Sequence, residues 1–326
     1  MNIKGLKSSS RRDFLHTLGS GTVMAGLIAR GARAGQTSDG PAPLKVSIFS
    51  KHLHWLDYEG MAQTAAEIGF DGIDLTVRAG GHVLPERVQE DLPKAYAAVR
   101  KAGLSMPMVT AGIVNARTPH VEAMLKTFSS LGIPLYRWGG FQWEEPTPVP
   151  ERLAQLKAEA AKLGELNRQY KVGAMYHNHS GAEVGASVWD LWEILKDLDR
   201  QWLGVNYDFS HATIEGGLGA WINSFRLVSP MMKGIAVKDF YWGKNSQGVW
   251  QPQWCPLGEG MVNYKKYFAM LKEAKFSGPV QMHIEYPLGG AESGAKTLTV
   301  EKSKVIAAMR KNLTILKGWL RDAGLV

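Results

Sequence analysis

The stretch MYHNHSG at residues 175–181 sets His177 and His179 two residues apart, just after the apolar run YKVGA. Side chains of an extended segment alternate between faces, so a strand here would point both imidazoles the same way. Imidazole titrates near neutral pH and is a common metal ligand, so the pair suits proton transfer or a metal centre. Other chemistry-bearing side chains follow comparable apolar runs. They are His54 in KHLHW (51–55), His82 in RAGGH (78–82), Arg137 with Trp138, Asp208 with His211, Lys238 with Asp239, and His283 with Glu285. Of the nine histidines, only His16 and His120 lie away from these places, whereas solvated histidines would also be scattered over helix surfaces.

The elements that must position these residues alternate regularly. Short apolar, β-branched runs occur at LKVSIFS (44–50), GIDLTV (from 72), SMPMVTAG (105–112), PLYRWGG (134–140), VGAMYHNH (172–179), WLGVNYDFS (202–210), MKGIAVKDF (232–240) and PVQMHIEY (279–286). Helical spacing occupies the intervals: 58–68, 85–102, 121–131, 151–169, 188–198, 219–228, 264–274 and 300–320. Eight strand-helix units with continuously apolar strands predict a parallel sheet buried on both faces, closed as a (β/α)8 TIM barrel in one α/β domain over residues 44–326. An open doubly wound sheet would carry a glycine-rich phosphate turn after its first strand, and no GxGxxG stands there. In a barrel the chemistry sits at the C-terminal ends of the strands, where the residues above fall.

Residues 1–34 read as a twin-arginine export signal. Arg11 and Arg12 precede a modestly apolar stretch, and Ala32-Arg33-Ala34 offers a small-residue cleavage site. The run is too short and too broken by Gly, Ser, Thr and His to span a bilayer, so no stable membrane span is expected after cleavage. The expected partner is the twin-arginine export machinery and the expected location is the periplasm or beyond, with 35–43 a short linker. The leader holds six of the 38 Lys and Arg and one of the 30 Asp and Glu, so a formal charge of +8 falls to +3 in the mature chain. That balance, without basic runs interleaved with aromatics, argues against nucleic acid. The single cysteine, Cys255, excludes an intramolecular disulfide and a cysteine-rich metal site.

YDFSHA (207–212), VKDF (237–240), PLGEG (256–260) and HIEY (283–286), in this order, resemble the xylose isomerase-like barrel superfamily, the sugar phosphate isomerase/epimerase group. The resemblance covers about residues 44–320 and implies one divalent metal at the barrel mouth, with proton transfer next to a carbonyl. It implies metal-binding roles for Asp208 and Glu285. His177 stands where the epimerase branch has a strand-five glutamate, and Ala236 where it has a strand-seven histidine. The expected ligands are therefore drawn from His177, His179, Asp208, Glu285 and His283, with His211 a further option. This mixed nitrogen and oxygen set suits Mn, Zn, Co or Fe better than Mg. Glu285, His177, His211 and Lys238 are the expected catalytic groups. His54, His82, Arg137, Trp138, Lys238 and Glu259 are the expected substrate contacts.

Trp55, Trp138, Trp143, Trp242, Trp250 and Trp254 cluster at strand ends and in loops, and such rings suit sugar C–H faces. The segment Tyr241–Met261 reads as a lid or wall. Export and the lack of a phosphate cradle favour a neutral sugar, keto-sugar or glycoside. The expected activity is isomerisation or epimerisation of a free sugar or keto-sugar. A metal-dependent lyase or dehydratase on a 3-keto-sugar, and a non-catalytic carbohydrate-binding barrel, are the alternatives.

Overall fold

A computed structural model describes residues 42–326. The expected leader, and all but the last two residues of the expected linker, lie outside them. The barrel is built from β1 (Val46–Phe49), β2 (Gly72–Val77), β3 (Ser105–Ala111), β4 (Leu135–Trp138), β5 (Gly173–His177), β6 (Leu203–Asp208), β7 (Met232–Val237) and β10 (Val280–Met282). They close in the order β1-β10-β7-β6-β5-β4-β3-β2, all parallel where paired. Around them run α1 (Tyr58–Ile68), α2 (Val88–Lys101), α3 (Val121–Ser130), α4 (Val149–Tyr170), α5 (Val188–Leu195), α6 (Phe209–Gly216), α7 (Ala220–Val228), α8 (Tyr264–Glu273) and α9 (Lys302–Asp322). β1, β2, β5 and β6 are buried at every residue, because barrel interior cover one face and helices the other. The helices start and stop on local chemistry: Asp57 accepts the N–H of Gly60 to open α1, and Gly69 closes it at φ 104°.

Three elements differ from the expectation. The eighth barrel strand stops at Met282: His283 N–H still donates to Val237 O of β7, but Ile284 N–H turns to His52 Nε2, so the chain leaves the ladder there and His283 and Glu285 enter the mouth. The segment expected as a lid or wall is a hairpin, β8 (Asp239–Lys244) paired antiparallel with β9 (Trp250–Cys255). Its turn is set by Asn245 Oδ1, which accepts the N–H groups of Gln247 and Val249, and by Gly248 at φ 79°. Finally α6 starts directly at the end of β6, with Asp208 as its cap.

Candidate metal centre at the barrel mouth

Alternation along parallel strands turns every second side chain into the barrel. On β5 and β6 this selects Met175, His177, Asn206 and Asp208, and His283 enters from the end of β10. His177, Asp208 and His283 are buried and offer ligand atoms that all lie within 4.8 Å of one another. His177 Nε2 is 3.6 Å from Asp208 Oδ2. His177 Nε2, Asp208 Oδ2 and both ring nitrogens of His283 are buried with no hydrogen-bond partner.

The surroundings fix these three side chains and leave those atoms free. Asn178 ties β5 to β6, its Oδ1 accepting Asp208 N–H at 2.8 Å and its Nδ2 donating to Asp208 O at 3.3 Å. Asp208 Oδ1 caps α6 by accepting His211 N–H at 2.9 Å, which leaves Oδ2 facing the barrel. The Asn206 amide lies 3.1 Å from His177 Nδ1 and 3.1 Å from Gln281 Oε1. As placed, Asn206 Nδ2 faces both; a free lone pair at His177 Nε2 requires the Asn206 and Gln281 amides to turn together, so that Asn206 Oδ1 accepts Nδ1–H and a Gln281 N–H. Phe49 stacks on His283 with ring centres 4.7 Å apart. His52 donates Nδ1–H to Ala291 O at 3.0 Å and accepts Ile284 N–H at Nε2, holding the segment that carries His283 and Glu285.

A second group adjoins the first. His177, His179 and His211 also bring ligand atoms within 4.8 Å of one another, with His179 half-buried. His211 donates Nδ1–H to Ser180 Oγ at 2.8 Å and accepts from Lys238 Nζ at Nε2, also 2.8 Å. The Lys238 ammonium reaches Asp208 Oδ2 at 3.3 Å and sits 4.5 Å from the Trp254 ring centre. The hairpin thus delivers Trp254 as a wall over Lys238.

Glu285 is engaged differently from the expected ligand. Both its oxygens take Lys51 Nζ, at 3.0 and 3.1 Å, and its nearer approach to His283 is 3.8 Å at Nδ1. Burial would raise its pKa, but the Lys238 and Lys51 charges outweigh that and bring it to about 2, so it is an anion at working pH. Burial, with Arg137 and Lys238 nearby, holds His177 and His283 well below the usual imidazole range, and burial with Lys238 does the same for His211. All three are neutral, the form in which imidazole binds metals.

Other expected site residues stand apart from this cluster. Trp138 is buried against Phe141 and Tyr176 and donates its N–H to Val114 O at 2.7 Å, since it faces away from the barrel interior that Arg137 enters. Glu259 is exposed and pairs with Lys311 at 2.9 Å. His54 and His82 form their own group, rings 4.7 Å apart, around Thr76 Oγ1 and Ser50 Oγ. Sequence reasoning passed over Lys51, His52, Asp74, Arg78, Asn206 and Gln281. The signal was a lone polar residue inside an apolar strand, as in GIDLTV, GVNYD and PVQM, where alternation points it into the barrel.

Comparison with known proteins agrees with this architecture. The xylose isomerase-like TIM barrel family matches residues 62–308. No curated protein sequence matches the chain. Among solved structures, D-psicose 3-epimerase with D-tagatose from Clostridium cellulolyticum H10 is 12% identical, covering 85% of this chain and 99% of its own, with a TM-score of 0.64. The IOLI protein with a binding zinc atom is 15% identical, covering 84% and 98%, with a TM-score of 0.65. The 3-keto-D-glucoside 4-epimerase YcjR from E. coli, in its apo form, is 12% identical, covering 84% and 99%, with a TM-score of 0.61. At these identities the likeness is one of fold. With a closed eight-stranded barrel and a family match over most of its length, the chain belongs to the xylose isomerase-like TIM barrel family.

Proposed function

We propose that this protein is a metal-dependent isomerase or epimerase of a sugar or keto-sugar, acting by proton transfer at a carbon next to a carbonyl. The observation that carries this reading is the convergence of His177 Nε2, Asp208 Oδ2 and His283, all buried and without a hydrogen bond, Asp208 Oδ2 having only the Lys238 ion pair at 3.3 Å. Unsatisfied buried polar atoms are costly and rare, and three that converge form a donor set for a divalent cation. Two imidazoles and a carboxylate fit Zn, Mn, Co or Fe better than Mg. When bound there, such an ion would polarise a carbonyl and a neighbouring hydroxyl and acidify the intervening C–H.

The chain's own groups supply the rest. Glu285, held as an anion by Lys51, takes a proton at an Oε from the β10–β1 side of the mouth. His179, half-buried on the β5 side with its ring 4.6 Å from His177, takes or returns one at a ring nitrogen. Two movers on two sides support epimerisation, while one working alone supports isomerisation. Lys238, oriented by His211 Nε2, offers a remaining N–H to a substrate oxygen, and Trp254 excludes water above it. Similar barrels whose names give sugar epimerases support the substrate class. Expulsion of a leaving group after the same proton removal would make the enzyme a lyase, which product mass distinguishes.

The test is elemental analysis of the protein purified without chelator, beside His177→Ala, followed by keto-sugar proton exchange in deuterated water. About one equivalent of a transition metal, lost in the variant, is expected for a site of this donor set. A wild type that cannot be loaded overturns the reading. We also propose export, supported by Arg11 and Arg12. Replacing both with lysine should leave the precursor uncleaved in the cytoplasm, and export unaffected by the change removes that assignment.

A further inference from the structure

We propose that the substrate carries a carboxylate, seated by Arg78 and Arg137 beside the Phe49 ring; this rests on the enzyme reading above and narrows it to sugar acids. Phe49 ends β1 and touches both halves of the mouth. Its ring stacks on His283 at 4.7 Å, and it has the guanidinium carbons of Arg137 and Arg78 at 5.1 and 5.5 Å from its centre. The two guanidinium groups are therefore neighbours of the candidate metal centre.

What marks them is that, among the described residues, no ion pair or side-chain hydrogen bond holds them. Lys51 is spent on Glu285, and Lys238 on Asp208 and His211. Among the described residues, neither Arg78 nor Arg137 has a carboxylate within 4.0 Å, and neither guanidinium donates a hydrogen bond. Arg137 Nη1 is buried without a partner. A guanidinium has five N–H donors, and withdrawing it from water unpaired is costly. The ring face offsets little of that, about 0.5–2 kcal/mol.

Two acids act on both arginines: Glu285, already paired with Lys51, and Asp74 on β2, which compensates poorly. The two oxygens of Asp74 accept the Thr110 hydroxyl at 2.9 and 2.8 Å, and burial pushes it up to about 7, so its charge is incomplete at neutral pH. Burial brings Arg137 down to about 10, which leaves it a cation. The mouth thus holds four cationic side chains, Lys51, Arg78, Arg137 and Lys238, against three carboxyls, Glu285, Asp208 and a partly neutral Asp74.

A carboxylate matches the planar fork of a guanidinium with two parallel hydrogen bonds. A phosphate would also seek backbone N–H donors, and in the loop after β2 those of Arg78, Gly81, His82 and Val83 are taken, by Val83 O, Arg78 O, Thr76 Oγ1 and Thr76 O, which leaves only those of the exposed Ala79 and Gly80. A sugar acid places its carboxylate on the arginines while its carbonyl and hydroxyl groups face His177, Asp208 and His283. An acidic ligand differs from the neutral one expected from sequence, and the titration below separates the two.

The test is calorimetric titration of the full-length protein with D-glucuronate and D-galacturonate, against D-glucose, D-galactose and glucose 6-phosphate. At least one uronate should bind about 10- to 100-fold tighter than its hexose, as expected for a charge-assisted pair. That preference should collapse in Arg137→Gln and in Arg78→Gln, the second change being at a half-buried position after β2 and so a safeguard against misfolding. Equal binding of uronate and hexose, no binding of either uronate, or a preference that survives both changes overturns the inference. Tighter binding of glucose 6-phosphate overturns the carboxylate assignment in favour of phosphate. Metal content and proton exchange on neutral keto-sugars without uronate preference would sink this inference alone. Arginine-dependent uronate binding by a chain that takes no metal would sink the enzyme reading and leave the anion seat standing.

Discussion

Asp208 does two jobs with its two oxygens, and a substitution can separate them. Oδ1 caps α6 through His211 N–H, while Oδ2 faces His177 and Lys238. Asparagine keeps a capping oxygen but gives up the charge, so Asp208→Asn should keep the fold and lose metal affinity by about 100-fold or more, with activity following. Unchanged metal content by elemental analysis would remove Asp208 from the ligand set. Lys51 poses the complementary case. Its side chain and that of Glu285 are each about one-fifth exposed or less, so removing the amine strands a carboxylate in a poorly solvated place. Lys51→Met should cost about 1–3 kcal/mol in urea unfolding, and a midpoint equal to wild type would mean that Glu285 finds another partner.

At the scale of elements, the hairpin fills the place that the sequence marks for a lid or wall, as regular β-structure rather than loop. It pairs residue by residue from Asp239 with Cys255 to Lys244 with Trp250. What anchors its base is the Asp239 carboxylate, which accepts N–H groups from Phe240, Gly258, Gly260 and Val262. A Cβ on Gly260 would lie 2.1 Å from Asp239 Oδ1, so Gly260→Ala should force this anchor open, cost about 2 kcal/mol or more and displace Trp254 from Lys238. Unchanged tryptophan fluorescence and stability would show that the base relaxes without moving the wall. The barrel strands and most helices were legible because burial on both faces and helical periodicity are local signals. His177, Asp208 and His283 were legible as strand-end residues. That Lys51 would claim Glu285, or that Phe49 would gather Arg78 and Arg137, was not, because those contacts join β1 to residues from β2, β4 and β10 across the closed sheet. Trp138 shows the local limit: one residue beyond Arg137, it takes the opposite face and packs against Phe141 and Tyr176.

For the molecule as a whole, burying so many imidazoles ties stability to pH in a direction that can be worked out. Burial brings His52 and His82 down to about 3 and holds His177, His211 and His283 well below their ordinary range. An unfolded histidine titrates near 6.5, so as pH falls through that value the unfolded chain takes up protons that the folded chain refuses. The stability these residues contribute is therefore complete above about pH 6.5 and is lost below it, each at up to about 1 kcal/mol per pH unit. Asp74, raised to about 7, acts the other way, because the folded state gains its proton first as pH falls; Asp190 and Asp239 are shifted in the same direction. Glu285, lowered to about 2, contributes stability that is lost only below about pH 4, outside this window. With His54 and His179, whose pKa burial also lowers, seven histidines outweigh three carboxyls, so urea unfolding of the metal-free protein should show stability falling by several kcal/mol, on the order of 5, between pH 7.5 and pH 5. A bound divalent ion should steepen the loss, since protons compete with it for His177 and His283. A flat profile in the metal-free protein would mean that the mouth admits water and lets these histidines protonate in place. In that case their neutrality, and with it their readiness to bind a metal, would not survive mild acid.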